Sequence, residues 1–134
     1  MQIEQAIMTH LLADSSITDL VGDRVFFVKA AQDVSAPYIV FFKVTDPPQY
    51  SHDGRSLYEP LFQFDIFDTT YSSVKEIAAV LKTSLEAYSG TLGGAGGVAV
   101  NGSFVEDEND FYEDITRLYH TAVDIRFWHN KRGK

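Results

Sequence analysis

The sequence predicts an α+β fold, a two-layer domain with a largely antiparallel sheet of about five strands and two main helices on one face. The first observation behind this prediction is a set of β-branched and aromatic segments joined by short connections, which is typical of hairpin-linked strands. The second is one strongly amphipathic helix that separates the third such segment from the last two. The predicted order of elements is α-(α)-β-β-β-α-β-β.

The N-terminal region predicts a helix followed by a short helical turn. Apolar residues recur at helical spacing over residues 3–12, and the polar residues that begin at Asp14 break this pattern. Ser16 and Asp19 then suit the cap of a turn over residues 17–21.

Three strands and one long loop are predicted next. Residues 25–28 and YIVFFKVT (Tyr38–Thr45) predict the first two strands. Residues 46–56 predict an exposed loop, because two prolines cannot donate ladder hydrogen bonds and an Asp-Gly pair offers a turn. We expect this loop to be mobile in the free protein and ordered in an assembly. The third strand spans residues 57–68, where Pro60 places the first half at a sheet edge or a bulge.

A second helix is predicted to follow, capped by Thr69 or Thr70 and reaching about Tyr88. Gly90 stands where a glycine commonly ends a helix, and the glycine-rich residues 93–97 predict a flexible connection. The apolar stripe of this helix is the clearest in the chain and consists of Val74, Ile77, Ala78, Leu81, Leu85 and Tyr88.

The last third of the chain predicts a strand near residues 98–105, an acidic loop and a long final strand. The loop, EDENDFYED (106–114), holds six acids in nine residues. One face of the final strand suits a core and carries Tyr119, Thr121, Val123, Ile125 and Phe127. The other face carries Leu118, His120, Ala122, Asp124, Arg126 and Trp128. Because this second face mixes charges with large apolar groups, we expect it to meet a partner, which favours assembly over catalysis.

Length and composition indicate one domain over residues 1–129 with a basic tail at 130–134. The 134 residues include ten Phe, seven Tyr and one Trp, and 45% of the chain is hydrophobic, which excludes global disorder. The net charge of −8 argues against an ordinary nucleic-acid-binding domain, because an acidic body repels phosphate.

Membrane contact, export and disulfides are not expected. No apolar run approaches the roughly 18 residues of a membrane span, and the first ten residues lack the basic start of a signal peptide. The absence of cysteine excludes a disulfide framework and a thiol nucleophile. We therefore expect a soluble protein made in a cytoplasm.

The short motifs predict no catalytic residue and no cofactor. The glycines of residues 93–97 follow a helix and lack the Lys-Ser/Thr of a phosphate loop. Ser51, His52 and Asp53 are consecutive, whereas a hydrolytic triad is assembled in space from separate elements. The four histidines lack the spacing of a zinc site, and His10 on the apolar stripe of the first helix is expected at the edge of the core.

The acidic loop is the segment with candidate ligands for a hard cation, namely Asp107, Glu108 and Asp110. Magnesium and calcium prefer clustered carboxylate oxygens. The loop lacks the register of a calcium-binding loop, and a run of charges is usually solvated surface. No metal site is therefore predicted, and these three residues are only weak candidates for one.

Four segments of the chain match a pattern known from one protein family. They are LVGDRVFF (20–27), APYIVFFKV (36–44), FQFDIFDTTYSSVKEIAAVL (62–81) and EDENDFYEDITRLYHTAVDIRFW (106–128). Together they resemble the tail-completion proteins of long-tailed bacteriophages, also called tail terminators or tail-to-head joining proteins. The resemblance covers nearly the whole chain as a pattern of sizes and turns.

That resemblance implies a structural virion protein that caps the tail tube and joins the tail to the head connector, as a hexameric ring through which DNA passes. Its partners would be other copies of itself, the tail tube protein and the head connector or stopper protein. Its place would be the head–tail junction of a virion, after assembly in the host cytoplasm. The resemblance also implies no enzymatic activity and no required organic cofactor, and a relative that assembles in a magnesium-sensitive way gives the acidic loop a second role.

The predicted partner interface draws on two loops and the final strand, and it consists of Pro47, Tyr50, His52, Arg55, Asp107, Glu108, Asp110 and Trp128. Two other functions remain open. One is a small-ligand-binding or regulatory domain with a pocket between the helix of residues 74–88 and the sheet. The other is an unrecognised hydrolase.

Overall fold

The computed structural model describes residues 2–50 and 56–129, and for residues 48–50, 56 and 57 it describes the backbone alone. Within these residues the chain forms three helices and eight strands. The helices are α1 (Ile3–Ala13), α2 (Ser15–Val21) and α3 (Tyr71–Leu85). The strands are β1 (Val25–Phe27), β2 (Tyr38–Thr45), β3 (Pro48–Tyr50), β4 (Ser56–Tyr58), β5 (Leu61–Asp68), β6 (Gly90–Leu92), β7 (Val98–Glu113) and β8 (Leu118–His129).

All eight strands join one sheet, in which β8 is central. β5 pairs with one side of β8 and β7 with the other, while β2 and then β1 extend the sheet beyond β5. β6 pairs with the start of β7, and β3 reaches the sheet through β4, which pairs with β8 at Tyr58 and His129. Among these pairings β1–β2 is parallel and the others are antiparallel. The α+β class is thus confirmed, whereas the prediction of about five strands is too low.

The core lies between the helices and one face of the sheet. On that face β5 contributes Phe62, Phe64 and Ile66, and β8 contributes Val123, Ile125 and Phe127, all fully buried. The predicted core face of the final strand is therefore confirmed. The stripe of α3 packs into the same cluster, so the space between α3 and the sheet is filled with side chains. The pocket expected there by the ligand-binding alternative is absent from the described residues.

The acidic segment is a strand and not a loop, which corrects the prediction for residues 106–114. β7 continues through these residues to Glu113 and pairs with β8 as far as Leu118, so that a turn over residues 114–117 closes a long hairpin. The acids are divided between the two faces of the sheet, and the lysines of α3 compensate two of them. The run of acids in residues 106–114 predicted solvated surface. Pairing with β8 and the contacts to these lysines instead stabilise residues 106–113 as a strand.

Three connections also differ from prediction. Part of the predicted loop at residues 46–56 forms the β3–β4 pair, while residues 51–55 lie outside the described residues. The predicted strand at 57–68 is split by Glu59 and Pro60, because a proline cannot donate to the ladder. The glycines at 93–97 form the turn of the β6–β7 hairpin, where a Cβ on Gly97 would lie 2.0 Å from the Leu92 carbonyl oxygen. This connection is thus the turn between two paired strands, and its flexibility stays a prediction.

The helices begin and end close to the predicted residues. Asp14 caps α2 by accepting a hydrogen bond from the Ser16 backbone N–H at 2.9 Å, so this element is a helix that starts at Ser15. Thr70 caps α3 by accepting from the Ser73 N–H at 3.2 Å. α3 ends at Leu85, and Gly90 starts β6 instead of ending the helix. No described helix is long and apolar enough to cross a membrane.

Candidate functional site

The sheet face opposite the helices, called here the helix-free face, is the first candidate surface. Its members follow from the strand register, because cross-strand partners share a face. Three groups of side chains follow one another along this face: a row of rings, a group of carboxylates and an exposed aromatic pair. The predicted mixed face of β8 forms its centre.

A row of four rings crosses four strands at one end of this face. Tyr38 of β2, Phe67 of β5, His120 of β8 and Phe111 of β7 are successive register partners. Their ring centroids lie 4.8 Å apart for Tyr38–Phe67, 4.4 Å for Phe67–His120 and 5.3 Å for His120–Phe111. We call this set the aromatic row. Such close ring contacts hold the side chains in fixed positions, although Phe111 remains 51% exposed.

A second pair of rings marks the other end of the face. Phe104 of β7 and Trp128 of β8 meet edge to face, with centroids 5.1 Å apart. Both stay exposed, at 48% and 38%. Between this pair and the aromatic row, Arg126 donates to Glu106 at 2.6 Å and to the Glu59 carbonyl at 2.7 Å. The predicted interface residue Trp128 therefore lies on an exposed, preorganised surface.

Three carboxylates lie in the middle of the helix-free face, on Asp65, Asp107 and Asp124. Asp65 accepts from the Gln63 amide at 2.8 Å and lies 3.0 Å from His120 Nε2. Asp124 is less well compensated, since one of its oxygens is buried and has no hydrogen-bond partner among the described residues. Burial, followed by the charges of Asp107, Asp65 and Glu106, raises the pKa of Asp124 above its usual value.

The tip of the β7–β8 hairpin is the second candidate surface. Glu113 holds the turn, because its carboxylate accepts from the Thr116 hydroxyl at 2.8 Å and its carbonyl accepts from the Arg117 N–H at 2.8 Å. Ile115 is 98% exposed at the outermost point. Tyr112 packs on Tyr119, with ring centroids 4.9 Å apart, yet half of its surface is exposed. The tip is thus a rigid projection with an apolar end.

The helix side of β7 carries Glu108 and Asp110, which bind α3. Lys75 and Lys82 both contact the Glu108 carboxylate, and Lys75 also lies 3.0 Å from Asp110. Asp110 accepts in addition from the hydroxyls of Tyr71 at 3.1 Å and Thr121 at 3.0 Å. Burial raises the pKa of Glu108, but the hydrogen bonds from both lysines outweigh it, so the pKa lies below its usual value.

The structure separates the three acids that were considered together as cation ligands. Asp107 points to the helix-free face, whereas Glu108 and Asp110 point to α3 and are occupied by lysines. No group of three or more His, Asp or Glu in the described part of the chain is placed to hold a metal ion. A shared site built from these three side chains is therefore not formed within one copy.

The structure describes the remaining predicted interface residues only in part. Pro47 is exposed directly before β3, and Tyr50 lies in β3 with only its backbone described. His52 and Arg55 lie outside the described residues. The sequence prediction missed Phe104, Phe111 and Ile115, because residues 104–113 contain consecutive acids and adjacent rings and not the alternation that indicates a strand.

Two further features concern the alternative functions. His10 lies at the edge of the core as predicted, with Nε2 2.9 Å from the Ser84 hydroxyl and its ring 5.3 Å from that of Tyr88. A groove of about 390 Å³ lies between α1 and β1 and is lined by Glu4, Gln5, Met8, Thr9 and Phe27. Its one carboxylate, Glu4, already pairs with Lys43 at 2.8 Å. The same Ser84 hydroxyl donates to Asp14 at 2.6 Å, so the serine lies between the histidine and the acid, whereas a hydrolytic triad has the histidine in the middle. The groove offers one carboxylate, which is already paired, and therefore lacks the convergent polar groups of a ligand site.

Solved structures share this fold. A chain from a structure described as the virion of a native gene transfer agent particle is similar with a TM-score of 0.74 and 14% identity, over 95% of this chain and 94% of that chain. A second solved chain is similar with a TM-score of 0.62 and 16% identity, over 96% of this chain and 94% of that chain. At such identities the likeness shows the fold alone. No curated protein matches the sequence.

The family assignment comes from the sequence itself. The model of the family described as tail completion protein gp17 matches residues 5–130, which include most of α1, the helix-free face and the whole hairpin. The resemblance stated from the four sequence segments is thereby confirmed. The chain belongs to the tail completion protein gp17 family, whose role is structural, in the assembly of the phage tail.

Proposed function

We propose that this protein caps the end of the tail tube and joins the tail to the head connector, as a hexameric ring at the head–tail junction of the virion. The observation that carries the proposal is the family match over residues 5–130. Its partners are then other copies of itself, the tail tube protein and the connector or stopper protein. The relative with the same fold comes from a structure described as a virion particle, which agrees with this location.

The surface of the chain supports an assembly role. Large apolar side chains stay exposed on two separate surfaces, Phe104 and Trp128 on the helix-free face and Ile115 at the hairpin tip. Exposed apolar groups that cluster on a rigid surface are typical of protein interfaces. The net charge of −8 also suits a ring through which DNA passes, because an acidic lumen does not retain phosphate.

Electron microscopy of particles made without this protein tests the proposal. We expect full heads separate from tails, and tails of abnormal length, because neither the tail end nor the connector has its joining partner. Supplying the wild-type chain in trans should restore joined particles. Normal particles in the absence of the protein would overturn the proposal.

A further inference from the structure

We propose that copies of this chain join head to tail, with the hairpin tip of one copy docked on the helix-free face of the next. Tyr112, Ile115 and Arg117 of the tip then lie between the aromatic row and the Phe104–Trp128 pair, with Arg117 beside the carboxylates of Asp107 and Asp124. This inference rests on the proposed ring and names the surfaces that close it.

The helix-free face has the properties of an interface centre without its partner. Rigid rings flank it on both sides, and their contacts fix them in place before binding. Its middle carries Asp65, Asp107 and Asp124 close together, with one buried Asp124 oxygen that no described residue satisfies. A surface with rings outside and, inside, three carboxylates of which Asp124 keeps an unpartnered oxygen fits a partner with an apolar end and a cation.

The hairpin tip supplies both features. Ile115 is 98% exposed, more than any other large apolar residue in the described part of the chain. Arg117 lies two residues further along the turn, is exposed and forms no ion pair with any described residue. Most described cations are already engaged with carboxylates, namely Lys43, Lys75, Lys82 and Arg126. A preformed turn loses little entropy on docking.

Pairing through the exposed edge of β7 is a weaker alternative. Beyond Val100, β8 is the one strand that pairs with β7 among the described residues. This edge is, however, interrupted by a bulge near Glu106 and lined with acids, and both features oppose the addition of another strand. Contact between two different surfaces is also what a closed ring requires, because a self-complementary contact stops at the dimer.

Cysteine cross-linking tests the contact directly, since the native chain contains no cysteine. One variant carries Ile115→Cys at the tip, and the other carries Asn109→Cys, an exposed residue of β7 on the helix-free face. Under oxidising conditions we expect the mixture to give a disulfide heterodimer in excess of the homodimer of either variant alone. Pairing Ile115→Cys with Glu76→Cys, on the exposed side of α3, should give no such excess.

Reversing the charge of Arg117 tests the proposed contact between this residue and the carboxylates of the helix-free face. Adding Arg117→Glu to the Ile115→Cys chain should lower the heterodimer yield by roughly tenfold or more, because it places a like charge against desolvated carboxylates. Lys29→Glu is the matched control, because Lys29 is, among the described residues, the other exposed cation without an ion pair and lies beyond β1. Absence of the heterodimer, or equal loss in both charge variants, would overturn the inference.

The proposed function and this inference fail in different experiments. Particles that stay joined when the only copy is Arg117→Glu, together with a negative cross-link, would reject the contact and leave the joining role intact. Normal particles without the protein would reject the joining role, even where the cross-link forms.

Discussion

At the scale of single residues, Asp124 is a carboxylate held among like charges with one buried oxygen that no described residue satisfies. Burial and the neighbouring Asp107, Asp65 and Glu106 raise its pKa in the folded chain above the ordinary value of 3.8. The folded state therefore holds a proton that the unfolded state has already released. As the pH rises from 3.8 through the folded pKa, the free energy of unfolding must fall. The ionised carboxylate thus costs the folded chain stability at neutral pH.

We therefore predict that Asp124→Asn raises the free energy of unfolding at pH 7, and that this gain shrinks as the pH falls through the folded pKa toward the ordinary value of 3.8. Urea denaturation at neutral and acidic pH measures both. Asp19→Asn, on the exposed surface of α2, is the control and should change little at either pH. Equal or lower stability of Asp124→Asn at pH 7 would contradict the interpretation.

At the scale of secondary-structure elements, the link between α3 and β7 determines whether the acidic segment is a strand. Glu108 accepts from Lys75 and Lys82, which lie 33 and 26 residues away in the sequence. These contacts lower the pKa of Glu108 below the value of 4.5 that it has in the unfolded chain. Their stabilising effect is therefore complete above pH 4.5 and is lost as the pH falls through the pKa of the folded state.

Glu108→Gln should accordingly lower the free energy of unfolding at pH 7 by about 1 kcal/mol, the upper range for exposed ion pairs, because Glu108 is only partly exposed. The loss should disappear under acidic conditions, where the wild-type carboxylate is protonated. Asp107→Asn, on the opposite face, should destabilise less. Thermal or urea unfolding of the three proteins at two pH values measures this. A loss for Glu108→Gln that persists in acid would indicate a packing effect instead.

At the scale of the whole molecule, charge opposes association. Each copy carries a net charge of −8, and repulsion between exposed charges reaches only about 8 Å at physiological salt, so the acids nearest a contact matter most. Within one copy Glu108 and Asp110 form ion pairs with lysines, whereas Asp107 accepts hydrogen bonds from the Glu108 N–H and the Asn109 amide and forms no ion pair with a described residue. A divalent cation shared between carboxylates of neighbouring copies would offset the repulsion.

The free chain is thus expected to be largely monomeric at low concentration, with oligomers favoured by magnesium or by the end of the tail tube. Asp107→Asn alone should weaken the magnesium effect while leaving the contacts to α3 intact. Sedimentation velocity of both proteins with and without magnesium is the measurement. The same distribution in all four conditions would reject a role for the cation.

Several secondary-structure elements could be predicted from the local pattern of the sequence alone. YIVFFKVT predicted the observed bounds of β2, the stripe from Val74 to Leu85 predicted α3, and alternation predicted the buried face of β8. These elements follow from the sequence because the periodicity of their apolar residues matches the geometry of the structure they form. The family resemblance likewise came from residues spread along the whole chain.

The tertiary structure alone decided the acidic strand, β6 and the helix-free face. Residues 106–113 form a strand because β8 supplies their hydrogen bonds and α3 supplies Lys75 and Lys82, neither of which a local window contains. The three-residue β6 exists because β7 pairs with it. The aromatic row joins single residues from four strands, so only the strand register could bring it together. Sequence periodicity determines which face of an element is buried, and packing determines which exposed groups become neighbours.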